Sequence, residues 1–432
     1  LQVTRREALR AGLIGAGALT WAARPVRAVA QPAKAKAVIQ IWMWGGPAHV
    51  DTLDPKPEAG YDYCGPFAKP IPTATDGLLI NELLPLLAAQ SGKYSVIRSM
   101  THGVFAHETA SYMTQTGRKP GERLQYPCAG AVTSLLKGAD YNSLIPPYIV
   151  LTQPQGRFSE NGFLSERYRP FATGGDPAQA RFAVEGIVAQ GISDQRQKDR
   201  RELLHNLNTL EKLFKDDAAL KALDKTEQQA YELILGDAGK VFDLSQETDA
   251  VRDRYGRNTF GQSCLAARRL VEKGVPYVTI NYEGWDTHRQ NFQVLRQKLP
   301  QMDKGMAALF EDLAQRGLLD STVVWWSGEF GRTPKVQWEA PWNGGRNHWG
   351  DVFCALLAGG GFKGGRVVGA SDAKGEQVKD RPVYPCDLIG SIYELLGFDP
   401  DGKLPNPQGL DARLTPTDSD GIKSAGRLKE IM

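Results

Sequence analysis

Cysteine, histidine and long apolar runs are all scarce in this 432-residue chain, and each shortage excludes something. The five cysteines (Cys64, Cys128, Cys264, Cys354, Cys386) are far apart and form no Cys-x-x-Cys pair. A disulfide framework is therefore not expected for so large a chain, with room left for one or two bridges outside the cytoplasm. Cys354 and Cys386 sit in apolar contexts and read as core residues. No Gly-x-Ser-x-Gly turn is present to expose a serine nucleophile. No P-loop occurs, and Gly359-Gly360-Gly361 after an apolar run is too weak a cue for a dinucleotide site. No apolar stretch is long enough to span a bilayer.

Excess charge is also missing: 52 basic residues face 49 acidic ones, a formal net charge of +3. Much of that surplus lies near the start. Thr4-Arg5-Arg6-Glu7-Ala8-Leu9-Arg10 precedes a modest Ala/Gly/Leu-rich stretch and a small-residue Ala28-Val29-Ala30. This pattern resembles a twin-arginine export signal spanning residues 1–30, read by the twin-arginine export machinery. The expected address is periplasmic or extracellular, reached by a protein folded before transport. Its removal takes five Arg and one Glu and turns the formal charge to −1, which leaves no electrostatic case for nucleic acid.

Length allows one large domain or two ordinary ones. The run Ala37–Trp44 is rich in β-formers and ends at Gly45-Gly46-Pro47, so it reads as a buried strand feeding a loop. Further strands are expected over 94–98, 147–152, 277–282, 322–327 and 352–357. Helical spacing marks 79–89, 258–273, 295–316 and 386–396. Strands alternating with helices predict an α/β protein with a mainly parallel central sheet flanked by helices. Residues 184–244 are charged and helix-favouring, an expected helical insertion in a domain over 31–415. Residues 155–176 read as a surface loop, and 416–432 as a polar tail that is expected to be disordered.

Chemistry-bearing residues gather in the Gly-rich loops after these strands, where ligands bind in open α/β sheets. They are Asp51, His107, Asp286, His288, Glu329 and His348, and four of the six histidines, His49 included, fall in these loops. Asp, Glu and His together suit Zn²⁺, Mn²⁺ or Fe. An extended Asp286-Thr287-His288 would point two donors to one side; an Asp or Thr helix cap beside a surface His is the alternative. Gly328-Glu329-Phe330-Gly331-Arg332 pairs a carboxylate with Arg332, a candidate to neutralise a sulfate- or phosphate-type oxyanion, or else an ordinary surface ion pair. His107 opens a short helix that closes at Gly117, with Ser111 one turn later. Seven tryptophans (Trp42, Trp44, Trp285, Trp325, Trp326, Trp342, Trp349) crowd these strands and loops; most read as packing, with one or two free to stack on a sugar or aromatic ring.

These stretches, together with Arg98-Ser99-Met100-Thr101-His102 and Asn347-His348-Trp349-Gly350, resemble the domain-of-unknown-function 1501 family, related to sulfatases in the alkaline phosphatase superfamily. The resemblance runs in order along most of the chain after residue 30. It implies two adjacent metal positions: Asp286, His288 and His348 at one, Asp51 and Glu329 at the other. The cofactor implied is one or two divalent ions (Zn, Mn or Ca). The superfamily's Asp-His pair is Glu329-Phe330 here, and its Asp-to-His spacing is shorter in Asp286-Thr287-His288. In the sulfatase register His107 stands at the nucleophile position and Ser111 where an Arg is usual, so formylglycine chemistry is not supported. His107 either replaces the missing histidine ligand or attacks the substrate itself.

The expectation is an exported, metal-dependent hydrolase of sulfate or phosphate esters, acting on a small-molecule or carbohydrate ester. His107 and Arg332 would be its catalytic residues. The alternative is a non-catalytic, metal-containing binding protein of the same fold that recognises a glycan or protein partner.

Overall fold

A computed structural model describes residues 32–121, 123–138, 140–153, 160–179, 182, 184, 239–416 and 420–432. The expected export signal, and all but the ends of the expected helical insertion, lie outside the described residues.

Eight strands form one sheet: β1 (Ala37–Trp42), β2 (Tyr94–Met100), β3 (Tyr148–Leu151), β4 (Phe171–Ala172), β5 (Tyr277–Asn281), β6 (Thr322–Ser327), β7 (Phe353–Ala358) and β8 (Arg366–Val368). Their spatial order is β8-β2-β7-β6-β1-β5-β3-β4. Every neighbouring pair is parallel except those made by β7, which runs antiparallel to both β2 and β6. The longer helices are α1 (His107–Thr116), α2 (Ala129–Gly138), α3 (Thr259–Glu272), α4 (Asn291–Gln315) and α5 (Pro385–Leu395).

Strand alternation assigns the two faces. In β1 Ile39 and Ile41 join the core beneath α3 and α4, whereas Val38 joins the one that includes α2 and α5. In β6 Val324 and Trp326 go with the first core, Val323 and Trp325 with the second. Burial on both faces explains why these central strands read as continuous apolar runs rather than alternating ones. The mid-strand Gln40 is satisfied inside the sheet. It donates to Gln115 of α1 at 3.0 Å and accepts from Tyr277 at 3.2 Å and Thr279 at 3.1 Å. That network fixes α1, and with it His107, against the central strands.

Differences from the sequence reading have local causes. The helix expected over 79–89 is confined to Pro85–Ala89, because proline at its start suits only the first turn. Part of the expected surface loop over 155–176 supplies β4, a two-residue edge strand too short to leave a periodic pattern. The segment 420–432 is packed down, not free. Leu428 and Ile431 are fully buried, and Ser424, Ala425 and Gly426 all donate to the Asp387 carboxylate. All five cysteines are free and buried.

If this terminal segment contributes to the core, Leu428→Ala lowers unfolding stability by about 2–5 kcal/mol. Urea denaturation checks this, and a change within experimental error would mean the segment is not anchored.

Candidate metal centre

Five adjacent strands, β2-β7-β6-β1-β5, aim their site loops at one edge of the sheet. His107 follows β2, Gly45 follows β1, Asp286 and His288 follow β5, and Glu329 and Arg332 follow β6. Because β7 is antiparallel, the loop that precedes it delivers His348 to the same edge.

Asp286 Oδ1 is the meeting point. His288 Nε2 lies 3.1 Å from it, His348 Nε2 3.3 Å and His107 Nε2 3.4 Å. His288 Nε2 and His348 Nε2 are 2.9 Å apart. Each ring's other nitrogen has an acceptor. His107 Nδ1 donates to Glu329 Oε1 at 2.6 Å, His288 Nδ1 to Asn347 Oδ1 at 2.8 Å, and His348 Nδ1 to the Phe105 carbonyl at 2.7 Å. With Nδ1 protonated, the Nε2 lone pairs turn toward Asp286, the arrangement that outer hydrogen bonds impose on metal-ligating histidines. Tetrahedral zinc with bonds of about 2.0–2.1 Å separates its donors by about 3.3 Å, close to the spacings around Asp286 Oδ1. Donor chemistry and spacing therefore fit a divalent ion. Among the described residues, the ligand-type atoms lying within 4.8 Å of one another belong to His107, Asp286 and His348.

Charge is held in place by buried partners. Burial works against the charged form of His107, but hydrogen bonds to Asp286 and Glu329, with their negative charges, raise it to about 9 in the metal-free protein. Burial would raise Asp286, yet bonds from His107, His348 and Arg332 keep its carboxyl well below the usual range. Glu329 is fully buried and takes the Gly45 N–H at 2.9 Å as well as His107. Gly45 has φ +111°, and an added Cβ would lie 2.2 Å from the Asp286 nitrogen, so only glycine permits this approach.

The structure brings together Asp286, His288, His348 and His107, and three other expected site residues stand apart from that group. Asp51 is outside the cluster. It is buried, with Oδ1 and Oδ2 each 2.7 Å from an Arg346 nitrogen and Oδ2 also 2.7 Å from Asn291 Nδ2. Glu329 stands behind His107 instead of beside it as a second metal's ligand. Arg332 is fully buried, donating to Asp286 and to the carbonyls of Gly45, Gly46 and Arg346, so it offers no face to a substrate oxyanion. Its place is to orient Asp286.

Arg346, Asn291, Asn347 and His102 support the site without any role expected of them from the sequence. Arg346 stood in the Gly-rich loop two residues before His348, and that adjacency was the available signal. His102 donates from Nε2 to the Glu329 carbonyl at 2.7 Å while its Nδ1 accepts from Val104 N–H, and burial lowers it to about 4. It is a neutral strut. Of the seven tryptophans, Trp42, Trp285, Trp325 and Trp326 are buried. Trp44 flanks His107 and Trp342 flanks His288. Trp349 packs edge-on against the exposed Phe105.

A family model described as "Protein of unknown function (DUF1501)" matches residues 35–425. No curated protein matches the chain. Among solved structures, a protein in the alkaline phosphatase superfamily from Vibrio parahaemolyticus aligns over 92% of this chain and 76% of its own, at 10% identity and a TM-score of 0.40. The PsFucS1 sulfatase from Pseudoalteromonas sp. aligns over 91% and 73%, at 13% identity and a TM-score of 0.40. The zinc complex of the C-terminal periplasmic domain of EcEptC from Escherichia coli aligns over 89% and 90%, at 10% identity and a TM-score of 0.35. Scores this low carry no argument about the chemistry of this chain.

His107, raised above its ordinary 6.5, sets a pH window for the metal-free protein. Its contribution to stability is complete below about pH 6.5 and is lost as pH rises through about 9. Thermal unfolding of the metal-free protein should show this decline, and Glu329→Gln should make it shallower, with Asp286 still raising His107. A wild-type profile already flat from pH 6.5 to 9 would contradict the His107 assignment.

Proposed function

The chain belongs to the DUF1501 family of proteins of unknown function, and from its site geometry we propose that it is a metal-dependent hydrolase of sulfate or phosphate esters. The carrying observation is the convergence of three imidazole Nε2 atoms on one carboxylate oxygen, each ring turned by an acceptor on its far nitrogen. Lone pairs packed this closely repel one another unless a proton or cation lies among them.

A divalent ion bound there supplies Lewis acidity toward an ester oxygen and lowers the pKa of water. The chain's own residues do the rest. Asp286, His107 and His348 would hold the ion, with His288 Nε2 beside them 2.9 Å from His348 Nε2. Glu329 keeps His107 in the Nδ1–H tautomer, and Arg332 holds the Asp286 carboxylate in place. The four donor side chains are each partly exposed, so an ester can reach them from solvent. His107 is assigned to the ion and not to attack on the substrate, because its Nε2 shares Asp286 with two other imidazoles.

The ester class follows from the family resemblance together with this donor set. We place the protein outside the cytoplasm on the Arg5-Arg6 leader. Among the described residues no helix is long and apolar enough to cross a membrane.

Metal analysis of purified protein, followed by turnover on aryl sulfates, phosphates and phosphodiesters, tests the proposal. Asp286→Ala and His348→Ala are each expected to strip most of the metal, and Glu329→Gln to weaken metal affinity about 10–100-fold. Full metal occupancy with no turnover on any ester would overturn the hydrolase reading in favour of a metal-containing binding protein. Full occupancy in both Asp286→Ala and His348→Ala would overturn the ligand set.

A further inference from the structure

Three carboxylates stand on this edge of the sheet, and two of them already face a buried guanidinium: Asp286 meets Arg332, and Asp51 meets Arg346. The two pairs differ in what they leave open. Asp286 is partly exposed and also faces three imidazoles, whereas Asp51 and Arg346 are both sealed from solvent. Arg346 spends all five N–H donors inside the protein. Two bind the Asp51 oxygens, one the Tyr63 carbonyl at 2.6 Å, and the remaining two the Thr333 and Pro334 carbonyls. Asp51 takes a further hydrogen bond from Asn291, whose own Oδ1 accepts from Thr287 Oγ at 2.7 Å.

We propose that the Arg346 guanidinium is the permanent cation of this site, so that the folded chain takes one exchangeable divalent ion and not two. A second ion at Asp51 would have to take the carboxylate from two N–H groups of a guanidinium held in place by three backbone carbonyls, leaving a buried positive charge without its anion next to the incoming one. The fixed cation also ties together the pieces the exchangeable site needs. Arg346 holds the β1 loop through Asp51 and the loop after Arg332 through Thr333 and Pro334. Its carbonyl accepts from Arg332, which in turn orients Asp286. Glu329 does not supply a second site either, since its oxygens serve Gly45 N–H and His107 Nδ1.

This inference rests on the metal-dependent reading above, and the test separates the two. The full chain is saturated with Zn²⁺, freed of excess by gel filtration, and its zinc per chain is measured by inductively coupled plasma mass spectrometry. Asp51→Asn and Asp286→Ala are treated alike. The proposal expects one zinc in the wild type and in Asp51→Asn, and almost none in Asp286→Ala. Two zincs in the wild type would overturn the fixed cation while leaving the metal-dependent reading intact, and a fall to one in Asp51→Asn would locate the second. No zinc in the wild type would overturn both. Should Asp51→Asn fail to fold, the wild-type count and its loss in Asp286→Ala still decide the matter.

Discussion

The Asp286 carboxylate is the contact on which the rest of the site depends. One of its oxygens faces His107, His288, His348 and Arg332, groups carried by four different segments of the chain. A single anion surrounded by this many donors is far from neutral in its preferences. Without a metal it favours a proton on His107, which Asp286 and Glu329 together push up to about 9. Were a divalent ion to bind at the proposed site, it would take the place of the His107 proton, so binding would release protons near neutral pH. Arg332 gives Asp286 an orientation that does not depend on what occupies the cluster.

Behind this contact lies a layer of buried polar groups, each with a named partner. Glu329 links the Gly45 backbone to His107, and Arg332 links the Gly45 and Gly46 carbonyls to Asp286. The short Gly45-Gly46 turn thus serves a carboxylate through its N–H and a guanidinium through its carbonyls. Breaking a buried ion pair by removing one partner costs about 3–5 kcal/mol, so Asp51–Arg346 and its neighbours are expensive to disturb. That expense holds the loops in register at the end of the sheet, where ligands bind in folds of this class.

Much of the scaffold was legible from the sequence because buried parallel strands leave strong, local signals. The run Thr322–Ser327 is read at its observed limits, and β1, β2, β3, β5 and β7 are placed within a few residues. Asp286, His288 and His348 could be grouped because they lie in Gly-rich loops after or before such strands. What stayed hidden was partner choice. Asp51 looked like a ligand because its residue type and loop position match those of the residues gathered around Asp286. Nothing local shows that Arg346, 295 positions later, takes both its oxygens. The burial of Arg332 was hidden in the same way, since it is a property of the assembled loops. The packing of Leu428 and Ile431 was equally invisible, because the segment around them is polar and only its isolated apolar residues reach the core.

The most direct test of this account is a crystal of the protein grown with zinc and measured at the zinc absorption edge. The account predicts one anomalous peak per chain, about 2.0–2.2 Å from Asp286 Oδ1 and from the Nε2 atoms of at least two of His107, His288 and His348. A peak bound to Asp51, or no peak at the cluster with zinc in excess, would contradict it.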